Sequence, residues 1–190
     1  KSDAAALREF VRRSRTVSTL LVSDYDGTLH RGLLPAWAQG ISNADLAICL
    51  VLLHLRRPAR CTALLRACCT VAARRRRLVR ERNAGRRTRH ETDAELIALF
   101  RSEILARCAP RDVARSAVRA AGFMNRDAVR CLSVIAGAAD TSLLISKAFR
   151  PVLEAASRRL ASCGAGEFRV VVSPVRLPAA GDACGPLPER

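Results

Sequence analysis

The chain reads as an α/β protein, a parallel sheet of about three strands carrying an all-helical insertion. Three observations predict this. The apolar, β-branched run Val17–Val22 is followed by the acidic turn Asp24-Tyr25-Asp26-Gly27-Thr28-Leu29. Near the other end, the apolar runs Ser142–Ser146 and Phe168–Ser173 flank a helical pattern at Pro151–Ser162, a strand–helix–strand unit. Between these parts the periodicity is helical throughout.

Taken in order, residues 3–13 predict a short Arg-bearing helix and residues 17–23 the first strand. His30 to Gly40 reads as a loop, with Gly32, Pro35 and Gly40 as breakers and Trp37, the only tryptophan, as its anchor. Ser42-Asn43 offers a cap for a helix over Ala44–Leu55, ended by Arg56-Arg57-Pro58. A second helix runs from Cys61 to Arg82, and a third starts at Thr92 or Asp93 and reaches Cys108. Pro110 opens a fourth, to Ala121, with Gly122 as its stop. Asp127–Ala136 is a fifth. Pro174–Arg190, with four prolines and two glycines, predicts an extended tail. The domains expected are an α/β core from residues 1–40 and 137–177, a helical cap at 41–136 and a tail at 178–190.

Two carboxylates one residue apart, at the C-terminal edge of a parallel strand, suit a hard cation and phosphoryl transfer. The stretch Asp24–Leu29 resembles the first motif of the haloacid dehalogenase-like (HAD) phosphohydrolases. Ser142–Ser146, an apolar strand ending in Ser, resembles their second motif, and the helix after it is similar to the phosphoserine-phosphatase-like branch. The resemblance covers most of residues 17–177 and implies a HAD-type, Rossmann-like sheet with the cap inserted between the two motifs. It implies Asp24 as the nucleophile forming an aspartyl-phosphate and Asp26 as the acid and base. Thr28 would orient Asp26, Ser146 would bond the phosphoryl oxygens, and the Asp24 carboxylate with the Asp26 carbonyl would ligate magnesium.

The family pattern also asks for a later lysine and for one or two acids after a further strand. The two lysines are Lys1 and Lys147, and Lys147 sits too early. After Val172 the acids are Asp182 and Glu189, neither behind an apolar strand. Magnesium wants six oxygen ligands, so this donor set is incomplete. Either the sequence is a fragment of an active phosphomonoesterase, or it is a degenerate HAD domain kept for its shape and surface. The missing strands would leave the first strand open on one side. A partner chain, or the protein's own missing segment, is therefore expected at the Val17–Ser23 edge.

Charge gives a second, independent signal. The net charge is +16, and arginine supplies 31 of 33 basic residues. Residues 56–89 hold thirteen arginines against one acid, Glu81. Within them, Arg74, Arg75, Arg76, Arg77, Arg80, Arg82, Arg86 and Arg87 form the candidate polyanion-binding block. Guanidinium matches phosphate bidentately. RNA phosphates, anionic cardiolipin-like lipid and acidic protein partners are the three candidate ligands, and a solvated helical face is the bland alternative. Aromatics make up 4% of the chain, too few for base stacking, and no DNA specificity is expected. The apolar stretch Leu46–Leu53 is too short to span a bilayer. The two arginine-flanked helices either lie at a membrane surface or pack together as the cap core, and packing is the favoured reading.

The eight cysteines include no CxxC pair, and most read as small buried residues of a reducing compartment. His30, His54 and His90 lack any metal-ligand spacing, although His30 stands close enough to the acidic turn to line its mouth. The Arg-bearing opening segment and Lys1 as first residue fit a mature mitochondrial chain, in the matrix or at the inner membrane, or alternatively a fragment. The function expected is a HAD-like, non-catalytic subunit of a larger assembly. A magnesium-dependent phosphomonoesterase is the alternative.

Overall fold

The computed structural model describes residue 9 and residues 20–33, 42–136 and 139–172. The helix expected at 3–13 (Glu9 apart), the first residues of the first strand, Trp37 and its loop, and the tail from Pro174 lie outside the described residues. Within them the protein is α/β, with one three-stranded parallel sheet and six α-helices.

The strands are β1 (Leu20–Asp24), β2 (Thr141–Ser146) and β3 (Arg169–Val172). The sheet order is β1-β2-β3, with Leu20 opposite Thr141, Asp24 opposite Ile145, and Ile145 opposite Val171. Sequence-distant β1 and β2 become neighbours because parallel pairing needs a crossover, and the helical insertion supplies it. Among the described residues β1 pairs with β2 alone.

Side chains alternate across a strand, and burial follows that alternation. Ser23, Ser142, Leu144 and Ser146 are buried on one face. Leu20, Val22, Ile145 and Val171 are exposed on the other. Pro at the start of helix α6 (Arg150–Ser162) has its fixed φ ready for the first turn. This helix buries Val152, Leu153, Ala155, Ala156, Ser157 and Leu160. Ser157 donates from Oγ to the Phe168 carbonyl at 2.7 Å, tying the helix to the start of β3.

The insertion holds α1 (Ser42–Leu53), α2 (Pro58–Asn83), α3 (Arg89–Glu103), α4 (Pro110–Ala120) and α5 (Arg126–Ala136), with a 3-10 turn at Leu105–Arg107. Pro58, read from the sequence as a terminator, opens α2, where its missing N–H is no loss. α3 begins three residues before its expected start, because Thr88 and Glu91 form a reciprocal capping box. Gly122 follows the end of α4 without the left-handed φ of a glycine cap, and a Cβ there would meet the Arg119 carbonyl oxygen at 2.9 Å, so a larger residue would force a shift.

The chain divides into two compact units. One comprises the described residues up to Leu46 and those from Ala117 onward; the other spans Ala47–Ser116. The buried apolar residues are mainly Leu and Ala, with Tyr25, Phe100, Phe149 and Phe168, while only Val113 and Val152 represent valine.

The cysteine expectation needs correction. Of the seven described cysteines, Cys49 and Cys61 are buried, but Cys69, Cys131 and Cys163 are exposed. Cys69 and Cys131 lie on outward helix faces, where burial depends on angular position and not on residue type. None of the seven forms a disulfide. Burial raises the thiol pKa of Cys68, and burial followed by the Asp112 charge pushes that of Cys108 up to about 11. Neither is primed as a nucleophile.

Candidate functional site

β1 ends at Asp24, and the chain then turns tightly. Gly27 takes φ 83°, a left-handed conformation that suits glycine, so the motif's Gly is a geometric requirement of the turn. The Tyr25 carbonyl accepts from the N–H groups of Leu29 at 3.1 Å and His30 at 2.8 Å. The turn is held from outside as well. The Tyr25 N–H donates to the Ile145 carbonyl at 3.2 Å, and residues Leu29 and Arg31 exchange backbone hydrogen bonds with Asn125 and Phe123.

The structure brings Asp26 and Ser146 together. Ser146 Oγ donates to Asp26 Oδ2 at 2.8 Å, joining the ends of two adjacent parallel strands. Asp26 Oδ1 accepts from the Ser42 N–H at 2.8 Å. Ser146 Oγ in turn accepts from the Ala148 N–H at 3.0 Å. Asn43, beside Ser42, accepts at Oδ1 from the Phe149 N–H (3.2 Å) and donates from Nδ2 to the Lys147 carbonyl (3.4 Å). The N-terminus of α1 is thus clipped onto both strand-end loops.

Asp24 is exposed at the end of β1. Burial of part of its surface, with the Asp26 charge adding to it, raises its carboxyl above the ordinary value, against a lowering hydrogen bond from the Tyr25 backbone. Thr28 is exposed, and its hydroxyl makes no hydrogen bond among the described residues. Ser42 and Ser146 are the groups that orient the Asp26 carboxylate.

The donor set does not suit magnesium among the described residues. No group of three or more His, Cys, Asp or Glu side chains that could hold a metal ion occurs among them. Both carboxylate oxygens of Asp26 already accept hydrogen bonds, which leaves Asp24 and a carbonyl where six oxygens are wanted. Such a set supports no chemical step routed through a metal.

Sequence reasoning missed a buried network directly beneath this turn. Tyr25 Oη lies 3.2 Å from His30 Nδ1, and His30 Nε2 lies 2.7 Å from Asp45 Oδ2. The Leu33 N–H also donates to the Asp45 carboxylate, at 3.1 Å to Oδ2. Tyr25, His30 and Asp45 are 0%, 2% and 1% exposed. The arrangement fits an imidazole donating from Nε2 to Asp45 and accepting from Tyr25 at Nδ1. Burial, followed by the charges of Asp26 and Asp45, holds the Tyr25 phenol far above its ordinary value, and therefore protonated. The one available signal was Asp45 in the first turn of an otherwise apolar helix.

The arginine block lies on α2 and the turn after it, all within the second unit. Not every member faces solvent alone. Arg74 donates from Nε and Nη2 to Glu95 Oε1 at 3.0 and 2.8 Å. Arg87 meets Glu95 Oε2 at 2.6 Å and Glu81 Oε2 at 2.9 Å. Arg77 meets Glu81 Oε1 at 2.8 Å. These guanidinium groups hold the Glu81 and Glu95 carboxyls below the ordinary glutamate value. Among the described residues the Arg82 side chain reaches only that of Asn83, at 3.4 Å. Arg75, Arg76, Arg80 and Arg86 are exposed and have no acidic partner among the described residues.

No helix among the described residues is long and apolar enough to cross a membrane. No family model matches the chain, and neither a curated protein nor a solved structure does.

Proposed function

We propose that this chain is a HAD-like, non-catalytic accessory subunit of a larger assembly, docked through its arginine surface on a polyanion. That polyanion is RNA phosphate, anionic cardiolipin-like lipid or an acidic protein partner. A mitochondrial setting, in the matrix or at the inner-membrane surface, fits the basic, arginine-rich composition. Two observations carry the reading: among the described residues Arg75, Arg76, Arg80 and Arg86 are exposed without an acidic partner, and the donor set at Asp24 and Asp26 is incomplete. Asp26 serves as an acceptor for Ser146 and Ser42, which supports a structural role for a motif of catalytic type.

The test pairs two assays on the purified chain at physiological ionic strength. Binding to polyphosphate is expected, weakening as salt rises. Turnover of a generic phosphomonoester with magnesium is expected to be absent, in the wild type and in Asp24→Asn alike. Turnover that Asp24→Asn abolishes would overturn the subunit reading.

One observation favours the second reading, a magnesium-dependent phosphomonoesterase acting through an aspartyl-phosphate on Asp24. Asp24, Asp26 and Ser146 all come to the same end of two adjacent parallel strands, the end at which ligands bind in open α/β sheets. That reading needs further donors from outside the described residues, and the same assay decides it.

A further inference from the structure

We infer that Glu81 and Glu95 divide the arginine block into two sets with different work, and that the outward set binds the sugar–phosphate backbone of an RNA duplex. The inference rests on the polyanion reading above and names its ligand and its contact residues.

All four carboxylate oxygens of the two glutamates are occupied. Glu95 Oε1 takes Arg74 and Oε2 takes Arg87; Glu81 Oε1 takes Arg77 and Oε2 takes Arg87. Arg87 therefore bridges both acids, and the network ties α2, its following turn and α3 together. Arg74 and Arg87 have their charge largely met by carboxylates, so a phosphate would have to displace a carboxylate to reach them, while Arg77, 68% exposed, gives only its Nε to Glu81. Arg75, Arg76, Arg80 and Arg86 face no such competition. Arg76 and Arg80 stand four residues apart on one helix face, about 6 Å along the axis. Arg75 projects about 100° round the helix from Arg76, and Arg86 continues the charge into the turn after the helix.

The neighbours of this strip favour nucleic acid over a membrane. An interfacial helix needs large apolar side chains next to its cations. The apolar stripe of α2, at Cys61, Leu64, Ala67 and Leu78, is buried. Its exposed large apolar residue is Leu65, eleven positions before Arg76 and so about 16 Å away. The outward positions before the strip are Ala72 and Ala73. Residues 56–89 also contain no aromatic residue, so bases have nothing to stack on. Contacts then fall on phosphates, and binding is blind to sequence.

The test measures fluorescence anisotropy of a labelled RNA duplex with the full chain across a salt series, beside sedimentation with phosphatidylcholine–cardiolipin vesicles. RNA binding is expected, with log K falling linearly against log salt. Arg76→Gln with Arg80→Gln should flatten that slope by about 2, close to 0.9 for each phosphate no longer neutralised. Glu95→Gln, which removes the carboxylate charge paired with Arg74 and one of the two paired with Arg87, should tighten RNA binding and steepen the slope. Arg74→Gln with Arg87→Gln should leave the slope unchanged; if that variant fails to fold, Glu95→Gln carries the comparison. Equal flattening by the two arginine pairs, or no gain from Glu95→Gln, would overturn the division. Vesicle binding without RNA binding would overturn the choice of RNA and leave the polyanion reading standing. Failure to bind RNA, vesicles and polyphosphate would overturn both phosphate-bearing ligands and leave an acidic protein as the polyanion.

Discussion

His30 Nε2 sits 2.7 Å from Asp45 Oδ2, with both side chains sealed from solvent. The pair joins the end of the acidic turn to the first turn of α1, and Tyr25 extends it to the residue after β1. A carboxylate this deep needs its donors, because burying an unpaired charge is expensive. His30→Ala should therefore cost about 3–5 kcal/mol, since it leaves Asp45 with the Leu33 N–H alone and strands the Tyr25 hydroxyl. Asp45→Asn keeps the shape and should cost about 1–3 kcal/mol. Urea denaturation of both variants checks this, and a His30→Ala protein within about 1 kcal/mol of wild type would contradict the network's structural role.

Tyr25 is the only tyrosine, so phenolate absorbance reports on it alone. Its folded-state pKa is raised, first by burial and then by the charges of Asp26 and Asp45. A raised pKa means that the folded state holds the proton more tightly than the unfolded chain. The associated stability is complete below the ordinary value of 10.0 and is lost as pH rises above it. An alkaline titration should show no phenolate in the folded protein at pH 10, then a steep rise coinciding with unfolding by circular dichroism. Gradual ionisation centred on 10 in a folded protein would show that Tyr25 is not sealed.

Ser146 and Thr28 separate the two possible supports of Asp26. Ser146→Ala removes a donor from a half-buried carboxylate and should cost about 1–3 kcal/mol. Thr28→Val touches an exposed side chain without a hydrogen bond among the described residues and should stay within about 0.5 kcal/mol. Thermal unfolding of the two variants makes the comparison, and a larger loss for Thr28→Val would reverse the assignment of which residue orients Asp26.

The two faces of the sheet should respond just as unequally. Leu144 is fully buried at the centre of β2, and Leu144→Ala should cost about 2–5 kcal/mol. Val22, on the open face of β1, is 50% exposed. Val22→Thr keeps the β-branch and should change stability by less than about 0.5 kcal/mol. A large loss at Val22 by the same denaturation would mean that this face is covered in solution.

By itself the sequence determined where strands and helices lie, because their signals are local. A run of β-branched residues, a 3.6-residue apolar period and an N-terminal proline each act within a few positions. The boundaries of β2, α4, α5 and α6 accordingly fall within a residue or two of expectation. The late start assigned to α3 was a local miss too, since Thr88 and Glu91 carry a capping box in plain view. The acidic turn was equally legible, because Gly27 and the two carboxylates are adjacent in the chain. Only the tertiary structure decided what those groups touch. Asp26 meets Ser146 across 120 positions and His30 meets Asp45 across 15, and no periodicity reports a pairing made by strand order and helix entry. The same holds for charge. Thirteen arginines in 34 residues look equivalent in the sequence. Folding α2 against α3 brings Glu95 to Arg74 and Arg87 and leaves Arg76 and Arg80 facing outward, because a carboxylate neutralises whatever the packing places within reach.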